Sequence, residues 1–484
     1  MFDFIKKLFR RKENMNDFEK SEVEALVFAY LNSLKYKSML LGKKYYEGKH
    51  DILNRVRQII GAKGTLEPVF NLPNNRIVDN QYSKLVNQKT NYLLSKVPTL
   101  QSENTEYVKA LNNVFNKQFL KAMKMLGKDC YNYGIAWLHV YYDAAGEFKI
   151  KRMAPLEIIP VWKDNDHTEL DYLVRLYVVR TYKKGQFVEL TKAEVYTTDG
   201  IQYFTWNHNR LTADPEREAV SYITVDTENG EKQYNWEKLP FIAFRPDELE
   251  QPLIIRVKSL QDGINTILSN FQNNMEEDNR NTILILKNYD GENLGEFRKN
   301  LSQFGAVKVS ESGGVETLTI EINADNYKAI LDLFKKAMIE NARGFDSKSD
   351  VLGSNPNQMN IQSMYSDIDL DANEMETEFQ ASFEQLLWFI NKHFINASIG
   401  NFENEKVEII FNRDILINES TVIDDISKSV GILSEETLVS QHPYVQDAEK
   451  ELKRIKKEKE ESLDVYGDFG KEKPASGVDV TETE

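Results

Sequence analysis

The sequence predicts an α+β protein that is mainly helical, and three observations support this. Apolar residues recur every three or four positions over most of the chain. Between about residues 133 and 246 the period changes to two, and β-branched and aromatic residues are enriched. A short α/β segment at 279–324 interrupts two long helical stretches. At 484 residues the chain is too long for one core and predicts about three compact units.

Composition restricts the class of protein. The formal net charge of −15, from 61 basic and 76 acidic residues, argues against a broad nonspecific grip on nucleic acid, because that grip depends on Lys and Arg displacing phosphate counterions. The single cysteine, Cys130, excludes an internal disulfide and fits a reducing compartment. No stretch approaches the ~18 apolar residues of a membrane span, so we expect a soluble protein without a membrane partner.

Residues 1–16 form a basic N-terminal arm. The arm places apolar residues next to basic ones, among them Phe2, Ile5, Phe9, Lys6, Lys7, Arg10 and Arg11. It has no small-residue cleavage site, and its apolar run is too short for a secretory signal. We expect the arm to dock on a partner; the alternative is an amphipathic helix that lies on a surface.

Residues 17–126 are predicted to be helical, punctuated by Pro68, Pro73 and Pro98. From Tyr133 the segment IAWLHVYYDAAGEFKIKRM predicts a hairpin that turns at 143–147, and further strand-like segments continue to about Pro246. This part of the chain is therefore a β-rich α+β region.

Three amphipathic helices are predicted in the second half of the chain. The first, of about 25 residues, carries one apolar stripe: Leu253, Val257, Leu260, Ile264, Ile267, Phe271 and Met275. The insert then reads TILILK, a helical ENLGEFRKNLSQF, AVKVS and VETLTIEI, and a second helix follows over 325–343. A polar stretch with Gly and Pro separates it from the third helix, whose apolar stripe starts at Ile361 and covers about eight turns.

The C-terminal part is predicted as a strand in KVEIIFNRD and two short helices around Gly431, with Ser434 as an N-cap. A solvated helix, AEKELKRIKKEKEES, follows. The tail at 466–484 is acidic and contains Pro and Gly, so we expect it to be disordered.

Catalytic, cofactor and metal motifs are weak, and the sequence predicts none of these sites. In GKKYYEGKH the glycines are six residues apart and His50 stands where a phosphate loop has Ser or Thr. The six histidines show no paired metal spacing. The spacing Asp367, Asp369, Asp371 and Glu378 resembles a calcium loop, but Ala372 occupies the position that needs glycine.

The third long helix carries seven acidic and no basic residues between 360 and 384. We interpret them as an acidic helix face that repels phosphates. Its representatives are Asp367, Asp371, Glu374 and Glu378.

The order of elements resembles the portal protein, or head-to-tail connector, of tailed double-stranded-DNA bacteriophages of the long-tailed siphophage type. The local sequences that carry the resemblance are NNRIVDNQYSKLVNQKTNYLLSKVP, YGIAWLHVYYDAAGEFKIKRMAPLEIIPVW and ILSEETLVSQHPYVQDAEKELKRI. The resemblance covers most of the chain and includes no catalytic motif. It implies a structural protein, not an enzyme, that forms a ring of twelve subunits at one capsid vertex of the virion and assembles in the bacterial host cytoplasm.

The resemblance also implies partners and regions. Double-stranded DNA would pass through the ring, and the partners would be the terminase large subunit, head-completion or adaptor proteins, and the major capsid and scaffolding proteins. The implied regions are the wing (17–251), the stem helices (252–278 and 325–345), the clip (279–324), the tunnel loop (346–360), a long wing helix with its following strand (361–414) and the crown (415–465).

Candidate site residues follow from these regions. In the tunnel loop they are polar residues around one lysine: Lys348, Ser347, Ser349, Asp350, Asn355 and Asn357. In the clip, Lys287, Arg298 and Lys308 are the predicted partner-docking residues. We expect Gly344 to end the preceding helix by taking a left-handed conformation. The alternative for the tunnel loop is a mobile surface linker.

Three other functions are alternatives to the portal role. A packaging nuclease or ATPase would need a Walker-type loop and clustered carboxylates, and neither motif is present. A scaffold or adaptor protein without a pore is the second rival. A helix-turn-helix at 424–441 is the third, but SEETLVSQ is acidic where a DNA-recognition helix is basic.

Overall fold

The computed structural model describes residues 17–61, 64–183, 185–227, 230–276, 282–287, 313–319, 324–346, 358–413, 419–445 and 448–467. Several predictions lie outside these residues: the N-terminal arm, the helix ENLGEFRKNLSQF, the strand AVKVS and nearly all of the acidic tail. None of the described helices has a stretch long and apolar enough to cross a membrane.

Helices dominate the described residues, in agreement with the predicted class. They are α1 (Asp17–Asn32), α2 (Leu34–Tyr46), α3 (Gln81–Leu94), α4 (Thr105–Val114), α5 (Lys117–Tyr133), α6 (Ile254–Glu276), α7 (Ala324–Asn341), α8 (Gln358–Asn396), α9 (Glu419–Lys428), α10 (Glu435–Gln441) and α11 (Ala448–Gly467). Short 3₁₀ turns cover Asp51–Asn54 and Pro155–Glu157. The three long helices predicted in the second half correspond to α6, α7 and α8.

The strands lie mostly between α5 and α6. They are β1 (Gln58–Ile60), β2 (Leu66–Pro68), β3 (Thr99–Gln101), β4 (Ala136–Tyr142), β5 (Phe148–Met153), β6 (Ile158–Trp162), β7 (Leu170–Lys183), β8 (Gln186–Thr197), β9 (Gly200–Asn207), β10 (Arg210–Ala213), β11 (Ile223–Thr227), β12 (Gly230–Tyr234), β13 (Phe241–Phe244), β14 (Thr282–Lys287), β15 (Gly314–Thr319) and β16 (Glu408–Ile410). All the described pairings between these strands are antiparallel.

The chain divides into two compact units. The first contains Met1–Phe345 and Asp367–Asp414, and the second contains Asp346–Ser366 and Ile415–Glu484. In the second unit α10 packs on α11, and Lys459 forms an ion pair of 2.7 Å with Glu435. Ser434 caps α10 as predicted, because its Oγ accepts the Thr437 N–H at 3.2 Å.

The β-rich part of the first unit contains a five-stranded sheet in the order β10-β9-β8-β7-β6 and a three-stranded sheet in the order β13-β4-β5. The predicted hairpin is confirmed: β4 pairs with β5, and the Gly146 N–H donates to Asp143 O within the turn. Val23 and Val27 of α1 are buried against the larger sheet. The period of two therefore locates the strands correctly.

Helices α6 and α7 form an antiparallel pair in the first unit. The rings of Phe271 and Tyr327 are 5.1 Å apart near one end of the pair. Further along, Phe334 packs against Gly263, where a Cβ would lie 2.5 Å from the phenyl ring. Strands β14 and β15, which follow α6 and precede α7, pair with each other from Thr282 opposite Thr319 to Lys287 opposite Gly314.

The all-helical prediction for residues 17–126 is wrong at three places. Strands β1 and β2 form a small exposed hairpin. Strand β3 pairs with β16, so Leu100 lies opposite Ile409. This pairing joins residues about 300 positions apart, and local periodicity carries no information about it.

Candidate functional site: the base of the 346–360 segment

Helix α7 ends with Arg343 in the left-handed region, at φ +49°. The Gly344 N–H donates to Ile339 O at 2.8 Å, and the Arg343 N–H donates to Glu340 O at 3.0 Å. These two bonds form a Schellman motif, which satisfies the last carbonyls of a helix. The expectation that Gly344 takes the left-handed conformation is therefore wrong, since Arg343 takes it.

Gly344 is required for a different reason. A Cβ at this position would lie 2.6 Å from Cδ2 of Leu85 on α3, which is closer than carbon atoms pack. The absence of a side chain lets the end of α7 approach α3 closely.

Lys89 of α3 binds the C-terminal end of α7. Its Nζ donates to Ala342 O at 2.6 Å and to Arg343 O at 3.1 Å, so a cation meets the negative end of the helix dipole. The same Nζ lies 2.8 Å from Oδ1 of Asp371 on α8, and Tyr131 OH donates to Oδ2 of Asp371 at 2.8 Å. Burial lowers the pKa of Lys89, and the Asp371 carboxylate opposes this effect.

Gln88, beside Lys89 on α3, fixes the next backbone unit. Its Nε2 donates to Phe345 O at 2.6 Å, and its Oε1 accepts the Phe345 N–H at 3.0 Å. One amide side chain therefore mimics a strand partner for Phe345. Together, Gln88 and Lys89 fix the chain where the 346–360 segment begins, and Lys89 also holds α8 through Asp371.

Ion pairs involve many carboxylates of the predicted acidic face of α8, and the repulsion of phosphates by this face stays a prediction. Arg343 lies 2.7 Å from Glu374, and Arg245 lies 3.2 Å from Glu378. Asp371 is buried beside Lys89. Arg413 pairs with two further members of the acidic run, Asp369 and Glu376. Among the four named representatives, only Asp367 is exposed and has no ion pair with any described residue.

A second polar network fixes α6. Its four most polar buried side chains recur every four residues: Gln261, Asn265, Ser269 and Asn273. These side chains hold an extended strand-like segment, which we call the strap (residues 74–80), and the start of α3.

The side-chain oxygens of the α6 network accept alternate backbone N–H groups. Asn273 accepts from Asn75 at 2.7 Å, Ser269 accepts from Ile77 at 2.9 Å, and Asn265 accepts from Asp79 at 3.0 Å. Gln261 continues the series by accepting the Tyr82 N–H at 2.9 Å. Four residues of helix rise about 6 Å, which is close to the length of two extended residues, and this match permits the regular ladder.

His50 completes the α6 network. Its Nδ1 lies 2.7 Å from Nδ2 of Asn265, and its Nε2 lies 3.0 Å from Tyr45 O. These contacts fit a neutral ring that accepts at Nδ1 and donates at Nε2. Burial lowers the pKa of His50, which favours the same neutral form.

The sequence contained signals for both networks. Lys89 lies on the apolar stripe of α3 between Val86 and Leu93, where a charged residue must be paired when buried. The prediction for α6 considered only its apolar stripe and missed a second stripe of amide and hydroxyl residues at i+4 spacing. In the C-terminal half of α6, this polar stripe is more deeply buried than the apolar one.

The remaining predicted residues are only partly described. The tunnel-loop candidates Lys348, Ser347, Ser349, Asp350, Asn355 and Asn357 lie outside the described residues, as do Arg298 and Lys308 of the clip. Lys287 is exposed at the end of β14. No group of three or more His, Cys, Asp or Glu side chains that could hold a metal ion occurs in the described part of the chain.

The buried charges and amides of both networks hold helix ends and backbone in place. The family model for the phage portal protein, SPP1 Gp6-like, matches residues 30–464. The chain therefore belongs to the SPP1 Gp6-like family of phage portal proteins, which confirms the resemblance and the phage portal role.

Two curated portal proteins are similar over nearly the whole chain. The portal protein of Bacillus phage SPP1 is 29% identical over 437 residues, which cover 89% of this chain and 85% of that protein. The portal protein of Clostridium phage phiCD119 is 27% identical over 455 residues, which cover 91% and 96%. A solved structure described as the neck of an empty GTA particle computed with C6 symmetry matches 73% of this chain and 86% of that one, at 11% identity. The TM-score of this match is 0.39.

Proposed function

We propose that this portal protein forms a ring, a dodecamer as the family resemblance implies, at one capsid vertex, and that double-stranded DNA is packaged and ejected through its channel. The observation that carries the proposal is the family match over residues 30–464. The proposed regions are the wing, stem, clip, tunnel loop and crown, with the boundaries given above. The ring would assemble in the host cytoplasm and become part of the virion.

Exposed apolar side chains on the proposed stem support assembly into a ring. Ile255 and Met275 of α6 are 46% and 50% exposed, and Ile330 and Leu333 of α7 are 46% and 62% exposed. Large apolar groups on two neighbouring helices are costly in water, and contact with an adjacent subunit would remove this cost.

The anchors at Gln88 and Lys89 support the tunnel-loop role. A loop that contacts moving DNA needs a fixed base, and these two side chains hold the backbone immediately before residue 346. Lys348 would supply one fleeting phosphate contact per subunit, which salt screens and which is too weak to arrest DNA. The net charge of −15 likewise gives little counterion-release affinity.

Imaging tests the ring and a deletion tests the loop. We expect native mass and end-on images of the purified protein to show a pierced, radially symmetric ring, whereas solid particles or fibres would indicate a scaffold without a pore. Removal of Leu352 to Asn357 should leave ring assembly nearly normal, because loop length costs little stability, and should impair packaging or retention of DNA. A deletion variant that packages and retains full-length DNA like the wild type would contradict the channel-loop role.

The clip is proposed as the docking surface for the terminase large subunit and the head-completion proteins. Strands β14 and β15 pair only with each other among the described strands, which leaves edges for a neighbouring subunit or partner. Charge reversal at Lys287, Arg298 and Lys308 should weaken partner binding while rings stay intact. Unchanged partner affinity in the triple variant would refute this assignment.

A further inference from the structure

A groove of about 800 Å³ runs along the C-terminal half of α8. One wall is formed by Phe383, Leu387 and Trp388 of α8, and the opposite wall by the segment 403–409. Tyr107 of α4 also lines the groove; its ring stacks on Phe402 with centroids 4.8 Å apart. A volume of this size is typical of sites that hold a ligand, and the apolar wall is one helix face.

The rim of the groove is acidic. Lys406 is the one lysine among the residues that line the groove. Four glutamates line it: Glu384, Glu403, Glu405 and Glu408. Glu403 is paired with Lys392 at 2.8 Å. Glu384 and Glu408 are exposed and form no ion pair with any described residue, so their charges are available to a cation.

Two further observations show what the groove can bind. Trp388, on the apolar wall, is held in place by cation–π contacts with this chain's own lysines, since the Nζ atoms of Lys238 and Lys392 lie 5.0 and 5.7 Å from its ring. Asn391, which lines the groove and is 9% exposed, has an Oδ1 without a hydrogen-bond partner among the described residues. The groove therefore offers an apolar wall, an acidic rim and a buried acceptor.

The N-terminal arm of this chain has the complementary chemistry. Residues 1–16 contain five basic and two acidic side chains. Three of its apolar residues, Phe2, Ile5 and Phe9, are spaced as i, i+3 and i+7, which is the anchor spacing of a helix that binds in a groove. We propose that this groove binds the N-terminal arm, with the three anchors against the Trp388 wall and the basic side chains toward Glu384 and Glu408.

This inference goes beyond the channel role, because it assigns a contact that would link portal subunits or close the arm onto its own subunit. A fluorescent peptide of residues 1–16, titrated with the full-length protein and with a variant lacking residues 1–16, tests it. We expect saturable binding to the shortened variant. We expect at least several-fold weaker binding to the full-length chain, because its own arm competes for the groove.

Matched variants make the test specific. The double variant Glu384→Lys with Glu408→Lys should bind the peptide about tenfold more weakly at low salt, since two attractive charges become repulsive. Glu218→Lys with Glu248→Lys, which changes the net charge equally at exposed sites away from the groove, should bind normally. A peptide with Phe2→Ser, Ile5→Ser and Phe9→Ser keeps its charge and should not bind.

The proposal is overturned by any of four results. These are no binding to the shortened variant, equal affinity for the groove variant and its control, equal binding by full-length and shortened protein, or binding of the peptide to anionic lipid vesicles but not to the protein. The last result would identify the arm as a membrane-surface element. The assay detects the contact whichever copy of the chain supplies the arm.

Discussion

The Nζ atom of Lys89 lies 2.8 Å from Oδ1 of Asp371, and the two side chains are 0% and 9% exposed. This ion pair joins α3 to α8, while the same Nζ caps the end of α7 through Ala342 O. The two helices on either side of the 346–360 segment are thus held by one buried cation. Such a cation can be kept in the interior only while its charge is compensated.

The substitution Asp371→Asn should destabilise the first unit strongly. It leaves the Lys89 ammonium buried without a counter-charge, and breaking a buried pair from one side costs about 3–5 kcal/mol. Urea unfolding of the variant and the wild type, monitored by circular dichroism, measures the difference.

The matched control for Asp371→Asn is Glu374→Gln, three residues further along α8. It breaks the half-exposed pair with Arg343 and should cost less than about 1 kcal/mol. The double variant Lys89→Met with Asp371→Leu should recover part of the loss, because it removes both charges but also the bonds to the Ala342 and Arg343 carbonyls and from the Tyr131 hydroxyl. Equal stability of Asp371→Asn and Glu374→Gln would contradict the anchoring role of Lys89.

The substitution Asn265→Leu should cost about 2–3 kcal/mol. It removes the acceptor of the Asp79 N–H and the amide contact of His50, leaving buried polar groups unsatisfied. Thermal unfolding provides the measurement. Gln272→Ala on the exposed side of the same helix is the control and should change stability by less than about 0.5 kcal/mol. If the two variants unfold at the same temperature, the hydrogen-bond ladder on α6 does not stabilise the fold.

The end of α7 gives a paired prediction. Gly344→Ala should destabilise by about 1–3 kcal/mol, since the new Cβ would lie 2.6 Å from Leu85 Cδ2. Arg343→Gly should be tolerated to within about 1 kcal/mol, because glycine relieves the positive φ while the exposed pair with Glu374 is lost. Differential scanning calorimetry distinguishes the two. The reverse order of stability would mean that Gly344, not Arg343, has the left-handed backbone conformation.

Acid should destabilise the fold through His139. The ring stacks on Phe241 with centroids 4.3 Å apart, and Nδ1 lies 2.9 Å from Pro240 O. Burial lowers the pKa of His139 to about 4, so the unfolded chain binds a proton at higher pH than the native protein does. Stability therefore falls as pH drops from about 6.5 toward 4, by about 2.5 kcal/mol at pH 4.5 from this group.

The measurement is urea unfolding at pH 7 and pH 4.5. His139→Asn keeps a donor near Pro240 O without a titrating ring, so its loss of stability between the two pH values should be smaller than that of the wild type. The exposed His208→Asn is the control and should match the wild type. An unchanged pH dependence in His139→Asn would refute the assignment.

The order and type of most elements follow from the sequence, because they depend on local spacing. The period of two located the hairpin of β4 and β5, and the apolar stripes located α6, α7 and α8. Ser434 was identifiable as an N-cap because a cap satisfies N–H groups only two or three residues away. The family resemblance, too, rested on this order of elements.

Only the tertiary structure decided which distant residues meet. The pairing of β3 with β16, the ion pair of Lys89 with Asp371 and the ladder from α6 to the strap each join residues that are far apart in the chain. The acidic run on α8 shows the consequence: five of its carboxylates form ion pairs with one lysine of α3 and three arginines that follow other helices and strands. A buried charge is stable only beside its partner, and that partner is brought by packing of the whole unit, which local spacing does not determine.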